Sequence, residues 1–225
     1  MHTVLITGGR TGIGKALVQA FASSGHQVIA CSRQIKANHF AHDIYEHHLN
    51  VLEANSIAQL FEDLDKENLH IDILINNAGI GIYKPFLEIN LDEWDLVMNT
   101  NIRGNFLCTQ AAIARMIIYG GGRIMNIGSI IEKYPRPMNS VYGASKAAIS
   151  NLSSQLNEEL IHQRIHISNI FLGATDTAIW QTRDFANKNQ MLKVKWVAAE
   201  LYRIACLPLD IRIDAIEILP EQGVL

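Results

Sequence analysis

Tyr142 and Lys146 stand four residues apart in Tyr142-Gly143-Ala144-Ser145-Lys146, within a stretch whose pattern predicts a helix over 142–162. That spacing puts both side chains on one helix face. A free tyrosine, with a pKa of about 10, is too weakly acidic to act as a base at neutral pH. A neighbouring ammonium favours tyrosinate and lowers that value. The pair therefore suits proton transfer to a carbonyl oxygen, or from an alcohol in reverse. Taken singly, such residues have commoner duties. A tyrosine at a helix start often packs, and a lysine one turn on is usually a solvated charge.

A second feature lies near the N-terminus, in Thr7-Gly8-Gly9-Arg10-Thr11-Gly12-Ile13-Gly14. A β-branched run, Val4 to Ile6, precedes it, and Ala16, Leu17, Ala20 and Phe21 follow at helical spacing. Between strand and helix, one glycine permits a sharp turn, one lets a pyrophosphate approach the backbone, and one lets the helix pack closely on the sheet. The unpaired N–H groups of the first helical turn then face the phosphates. The spacing is neither G-x-G-x-x-G nor a Walker A loop, because Ala16 follows Lys15 where magnesium would need a hydroxyl.

Short apolar strands are predicted in segments beginning at 3, 26, 46, 71, 123, 165 and 211. Helices are predicted between them: one ending at Gly25, then Asn55 to Glu67, Leu91 to Tyr119 (broken only at Gly104), Tyr142 to His162, and Val194 to Cys206. Buried strands alternating with helices imply parallel pairing with helices on both faces. The expected fold class is α/β, a doubly wound (Rossmann) seven-stranded parallel sheet. No linker divides the chain, so residues 1–225 are expected to form a single domain. Its substrate lid should fall at about 178–193, a mixture of Trp180, Arg183, Phe185, Met191 and polar residues.

Composition narrows the function. The 225 residues are 48% hydrophobic and 18% charged, and carry a net charge of −3. This is globular composition, with no excess of positive charge to recruit nucleic acid or an anionic membrane. No apolar run spans a bilayer, and the N-terminus enters a strand without a basic n-region. Cys31, Cys108 and Cys206 are odd in number and widely spaced. A reduced, cytoplasmic protein is expected. His39, His42, His47 and His48 cluster, but without acidic or thiol partners at ligand spacing, so no metal site is expected.

Taken in order, these segments resemble the short-chain dehydrogenase/reductase family, whose glycine turn follows Thr-Gly-x-x-x-Gly-x-Gly. Asn76-Asn77-Ala78-Gly79 is similar to the family's Asn-Asn-Ala-Gly element, and Asn101 matches its helix asparagine. Ser129 matches its catalytic serine, thirteen residues before the tyrosine of Tyr-x-x-x-Lys, and Gly173 to Thr177 match its nicotinamide-side loop. The resemblance implies a catalytic set. Ser129 holds the substrate oxygen, Tyr142 is the acid/base, Lys146 also binds the nicotinamide ribose, and Asn101 positions a water that relays protons. It implies cofactor contacts from Gly8, Arg10, Thr11, Gly12, Ile13, Gly14, Ser32, Arg33, Asn50, Val51, Asn77, Ala78, Gly79, Tyr142, Lys146, Gly173, Thr175 and Thr177. After the second strand, Ser32-Arg33 replaces the acidic residue that would bind a ribose 2′-OH. Arg10 adds a second cation, so NADP(H) is expected over NAD(H). The chain departs from the family at Asn50, where an Asp is frequent, and at Leu172, where a proline is usual.

The implied activity is hydride transfer between nicotinamide and a carbonyl or alcohol substrate. The alternatives are an epimerase or dehydratase on the same fold, and an NADP(H)-binding sensor or scaffold without turnover. The partners implied are a small-molecule substrate and further copies of the chain, as a homodimer or homotetramer. Ile149, Leu152, Leu156 and Leu160 form an apolar stripe that faces either a partner or its own sheet.

Overall fold

The computed structural model describes residues 1–36, 38–41, 43–180 and 188–224, with only the backbone of 39–41. Eight strands make one sheet: β1 (Thr3–Thr7), β2 (Gln27–Ser32), β3 (His39–Ala41), β4 (Ile44–His48), β5 (Ile73–Asn76), β6 (Gly122–Ile127), β7 (Ile165–Leu172) and β8 (Ala215–Ile218). Their order is β3-β4-β2-β1-β5-β6-β7-β8. The seven strands expected from sequence are all present and pair in parallel. The eighth, β3, runs antiparallel along β4 at the edge, where sequence suggested only a link too short for a helix. From β1 the chain winds outward to β4, then returns to β5 and winds the other way. The switch between β1 and β5 opens a crevice at their C-terminal ends.

Among the described residues, six α-helices cover the sheet: α1 (Gly12–Ser23), α2 (Ala54–Lys66), α3 (Leu91–Met98), α4 (Gly104–Ile118), α5 (Ser140–Glu159) and α6 (Val194–Ala205). Strand side chains alternate between two cores, as the pleat requires. Val4, Ile6 and Val28 face α1 and α6, packing with Leu17, Phe21, Val197 and Leu201. Leu5, Ile29 and Leu74 face the other way, onto Ile57, Leu60 and Phe61 of α2 and Cys108 and Met116 of α4. Each such fully buried side chain contributes roughly 1.5–3 kcal/mol. Together these two layers hold the strand ends in register, and the strand ends carry the site.

One detail differs from the sequence expectation. The helical stretch from 91 to 119 is interrupted before Gly104 by a π-helical segment, Asn99–Arg103. In the stripe read over 149–160, Ile149 is buried, and Leu156 and Leu160 pack into the core under the sheet, so these three face inward, while Leu152 is half-buried. His47 is buried, with Nδ1 2.8 Å from His48 O and Nε2 3.2 Å from Asp63 Oδ2. His42 and the side chain of His39 lie outside the described residues. Among the described residues, no helix is long and apolar enough to cross a membrane.

Candidate active site

The glycine turn joins β1 to α1. Gly8 adopts φ +68°, a conformation side chains rarely take. A Cβ on Gly14 would lie 2.2 Å from Gly8 O, so helix and turn meet with no room for a side chain. Asn77, just past β5, braces the turn: its Nδ2 donates to Thr7 O at 2.9 Å and Gly8 O at 3.2 Å. In return Thr7 Oγ1 accepts the N–H groups of Asn77 and Ala78, each at 3.0 Å. The Asn-Asn-Ala-Gly segment thus fixes the shape of the cradle from the neighbouring strand.

Beyond the cradle lies a cavity of about 870 Å³ at the C-terminal ends of β1, β5, β6 and β7. Ser129 stands just past β6 and caps a short turn, Ile130–Glu132, its Oγ accepting Ile131 N–H at 3.3 Å. Tyr142 and Lys146 project from the first turns of α5. Lys146 Nζ donates to Ile127 O at 2.7 Å and lies 5.8 Å from the centre of the Tyr142 ring. Tyr142 meets Tyr83 edge-on at 5.6 Å, and Tyr83 stacks on Trp180 at 6.0 Å. Trp180 is anchored by Nε1 donating to Thr175 O at 2.8 Å.

Burial governs the protonation of this pair. It lifts the Tyr142 hydroxyl well above the ordinary tyrosine value; the negative neighbours Tyr83 and Glu132 add to the rise, and a hydrogen bond with Ser129 opposes it. Burial also lowers Lys146 to about 8, against the pull of Glu132. The expectation that Tyr142 is depressed is therefore corrected: desolvation is the largest influence on its hydroxyl, and it acts upward. Tyr142 thus keeps its proton across the neutral range, while Lys146 is brought down to about 8.

Asn101 is held by partners from two other segments. It lies in the π-helical segment and is buried. Its Oδ1 accepts Ile80 N–H at 2.9 Å, while Nδ2 donates to Ile80 O and to Ser145 Oγ, both at 2.9 Å. Ser145 Oγ donates in turn to Tyr142 O at 2.7 Å. The amide thus ties the loop after β5, through Ser145, to the backbone beneath Tyr142. The π turn supplies the bend that lets it reach both.

The cavity wall gathers Gly8, Thr11, Gly12, Ile13, Asn77, Ala78, Gly79, Ser129, Tyr142, Lys146, Gly173, Thr175 and Thr177. Gly14 lies behind the wall as a packing position. Arg10, Ser32, Arg33, Asn50 and Val51 lie off it. Arg10 pairs with Glu46 at 2.6 Å, and Ser32 Oγ accepts Gln34 N–H at 3.2 Å. Asn50 spends its amide on Glu53 at 2.6 Å, and Val51 is buried against the π turn's end at Gly104. Arg33 is exposed. Sequence reasoning missed Ile80, Tyr83, Ile131, Arg136, Met138 and Ile179, which also line the cavity. No spacing rule marks them, because the loops that bring them together are distant in the chain. The lid expectation lies partly outside the described residues. Its described ends are the turns Ala178–Trp180 and Lys188–Gln190, and Thr175 pairs with Leu192.

A glycine-rich cradle at a helix N-terminus, opening on a wall of Ser129, Tyr142 and Lys146, fits a dinucleotide. The family model for short chain dehydrogenases matches residues 2–188, and the chain belongs to that family. An uncharacterized oxidoreductase of Schizosaccharomyces pombe is 39% identical over 160 residues, covering 70% of this chain and 55% of that one. This chain thus spans about half the length of that relative. The NADP-dependent 3-hydroxy acid dehydrogenase YdfG of Escherichia coli K12 is 27% identical, over 96% of this chain and 94% of the relative. Among solved structures, the closed form of serine dehydrogenase complexed with NADP+ superposes with a TM-score of 0.90 at 26% identity, covering 99% and 96% of the two chains.

Proposed function

We propose that this chain is an NADP(H)-dependent oxidoreductase of carbonyl and alcohol substrates. The observation that carries the reading is the convergence of Ser129, Tyr142 and Lys146 on one wall of a cavity whose other wall is the glycine cradle. The bound nicotinamide would supply or accept the hydride. Gly8, Thr11, Gly12 and Ile13 face the pyrophosphate, and Lys146 holds the ribose. Ser129 Oγ orients the substrate oxygen, and Tyr142, protonated across the neutral range, donates to it in reduction. Arg10 and Arg33 flank the adenosine end as the cations for a 2′-phosphate. The relatives named for 3-hydroxy acids and serine make small hydroxy and oxo acids the first substrates to try. Arg136, on the cavity wall, suits a carboxylate.

The same reading has the chain acting as one domain in the cytoplasm, with residues 178–193 as the lid. It also has two or more copies associating, because Trp94, Phe106, Ile117 and Ile118 leave an exposed apolar face on α3 and α4.

The test follows NADPH oxidation by absorbance over aldehydes, ketones, diketones and oxo acids, with Tyr142→Phe in parallel. Loss of turnover by about 10²-fold or more in the variant, with NADPH binding intact, is expected. Turnover untouched by the variant overturns the mechanism. Conversion without net NADPH consumption would point to epimerisation, and binding without conversion across the panel to a sensor.

A further inference from the structure

Glu132 takes no part in the reaction just described, yet it lies directly behind it. It closes the turn that Ser129 caps: Oε1 accepts Ser129 N–H at 3.0 Å while Ser129 Oγ accepts Ile131 N–H. The serine is thus held from both its backbone and its side chain. A Cβ on Gly128 would fall 2.7 Å from the same Oε1, so the carboxylate packs against the residue that leads β6 into Ser129. The other oxygen, Oε2, is shielded from solvent with no partner at close hydrogen-bond distance, and the Ser150 hydroxyl is the one further side chain that bonds to the carboxylate. A buried carboxylate short of partners is costly, and its charge acts strongly on whatever lies near.

The groups that face it are few. From α5 come Lys146, Tyr142 and the hydroxyl of Ser150; from its own turn comes Lys133, which is itself paired with Glu217 of β8. Lys146 makes no ion pair among the described residues, its Nζ donating to a carbonyl oxygen instead. Glu132 is therefore the negative charge that Lys146 feels.

We propose that Glu132 is a positioning residue of the catalytic set: one oxygen fixes the backbone of Ser129, and the negative charge keeps Lys146 protonated. This rests on the reading that Ser129, Tyr142 and Lys146 carry the reaction. Burial raises the Glu132 carboxyl above its ordinary value, opposed by hydrogen bonds from Ser129 and Ser150 and by the charges of Lys146 and Lys133.

Glu132→Gln removes the charge and keeps an oxygen for Ser129 N–H; Glu132→Ala removes both. Lysine labelled at ¹³Cε reports the Lys146 midpoint in the unliganded chain, with Lys146→Arg identifying its resonance. In the Gln variant this midpoint falls by about half a pH unit or more. The alkaline limb of kcat for reduction moves to lower pH with it, while KM for NADPH hardly changes. The Ala variant shows the same shift and a further loss of about tenfold in kcat, which Gln restores.

An unmoved Lys146 midpoint overturns the electrostatic role, and equal kcat in the two variants overturns the positional one. Equal losses that merely track a fall in Tm, with the midpoint unmoved, make Glu132 a structural residue only. A shifted midpoint in a chain whose wild type turns over no carbonyl would sustain the pairing with Lys146 and overturn the reaction. An unmoved midpoint with Tyr142→Phe inactive would do the reverse.

Discussion

Arg10 Nη1 lies 2.6 Å from Glu46 Oε1, so the cation of the glycine turn is tethered to β4, two strands away from its own. The tether keeps the guanidinium beside the end of β2, where Ser32 and Arg33 stand. A 2′-phosphate arriving there competes with the Glu46 carboxylate for Arg10. The pair is solvent-exposed, so breaking it costs under about 1 kcal/mol. Glu46→Gln is expected to tighten NADPH binding by about two- to fivefold, and Arg10→Ala to weaken it by about tenfold, with NADH changed by less than about twofold in either. Calorimetric titration of both cofactors checks this. Equal changes for NADPH and NADH would remove Arg10 from the 2′-phosphate.

Lys146 should set the alkaline limb of reduction. Burial holds its pKa near 8, below that of a free lysine, so the ammonium is present under pH 8 and lost above it. Tyr142, displaced upward, keeps its proton through this range and adds no limb of its own. The value of kcat/KM for reduction should therefore decline as pH rises through about 8. Lys146→Arg retains its charge and should abolish that limb, at a lower overall rate. Profiles between about pH 6 and 10 decide the matter. A limb that persists in the Arg variant belongs to another group.

Features governed by neighbours along the chain were legible in the sequence. The seven parallel strands are short apolar runs between helices, and the Tyr142–Lys146 pair follows from helical spacing. The cradle glycines follow from a turn that must bend where α1 meets β1. What escaped depends on residues far apart. Asn101 reaches Ile80 and Ser145 only because a π turn bends the helix at 99–103, and no local pattern announces it. The Tyr83–Trp180 stack joins a loop after β5 to one after β7. The short strand β3 exists only as a partner of β4. The upward displacement of the Tyr142 hydroxyl escaped as well, because burial is a property of the packed fold and not of four-residue spacing.

The histidine-rich edge of the sheet gives a stability prediction. Burial pushes the Asp63 carboxyl up, but Gln59 at 2.8 Å, His47 at 3.2 Å and Lys66 at 3.3 Å outweigh it and hold its pKa below the ordinary value. A carboxylate depressed in the folded state stabilises the fold above its unfolded value, about 4, and loses that contribution as pH falls through the folded one. Asp63→Asn should therefore cost stability at pH 7, by less than about 1 kcal/mol because the carboxylate is part-exposed. The difference from wild type should shrink as pH falls below about 4, where both forms are neutral at this position. Urea denaturation at pH 7 and at the lowest pH where the chain stays folded measures both arms. A deficit of the same size at both would show that the carboxylate's charge contributes nothing and that the substitution acts through packing alone.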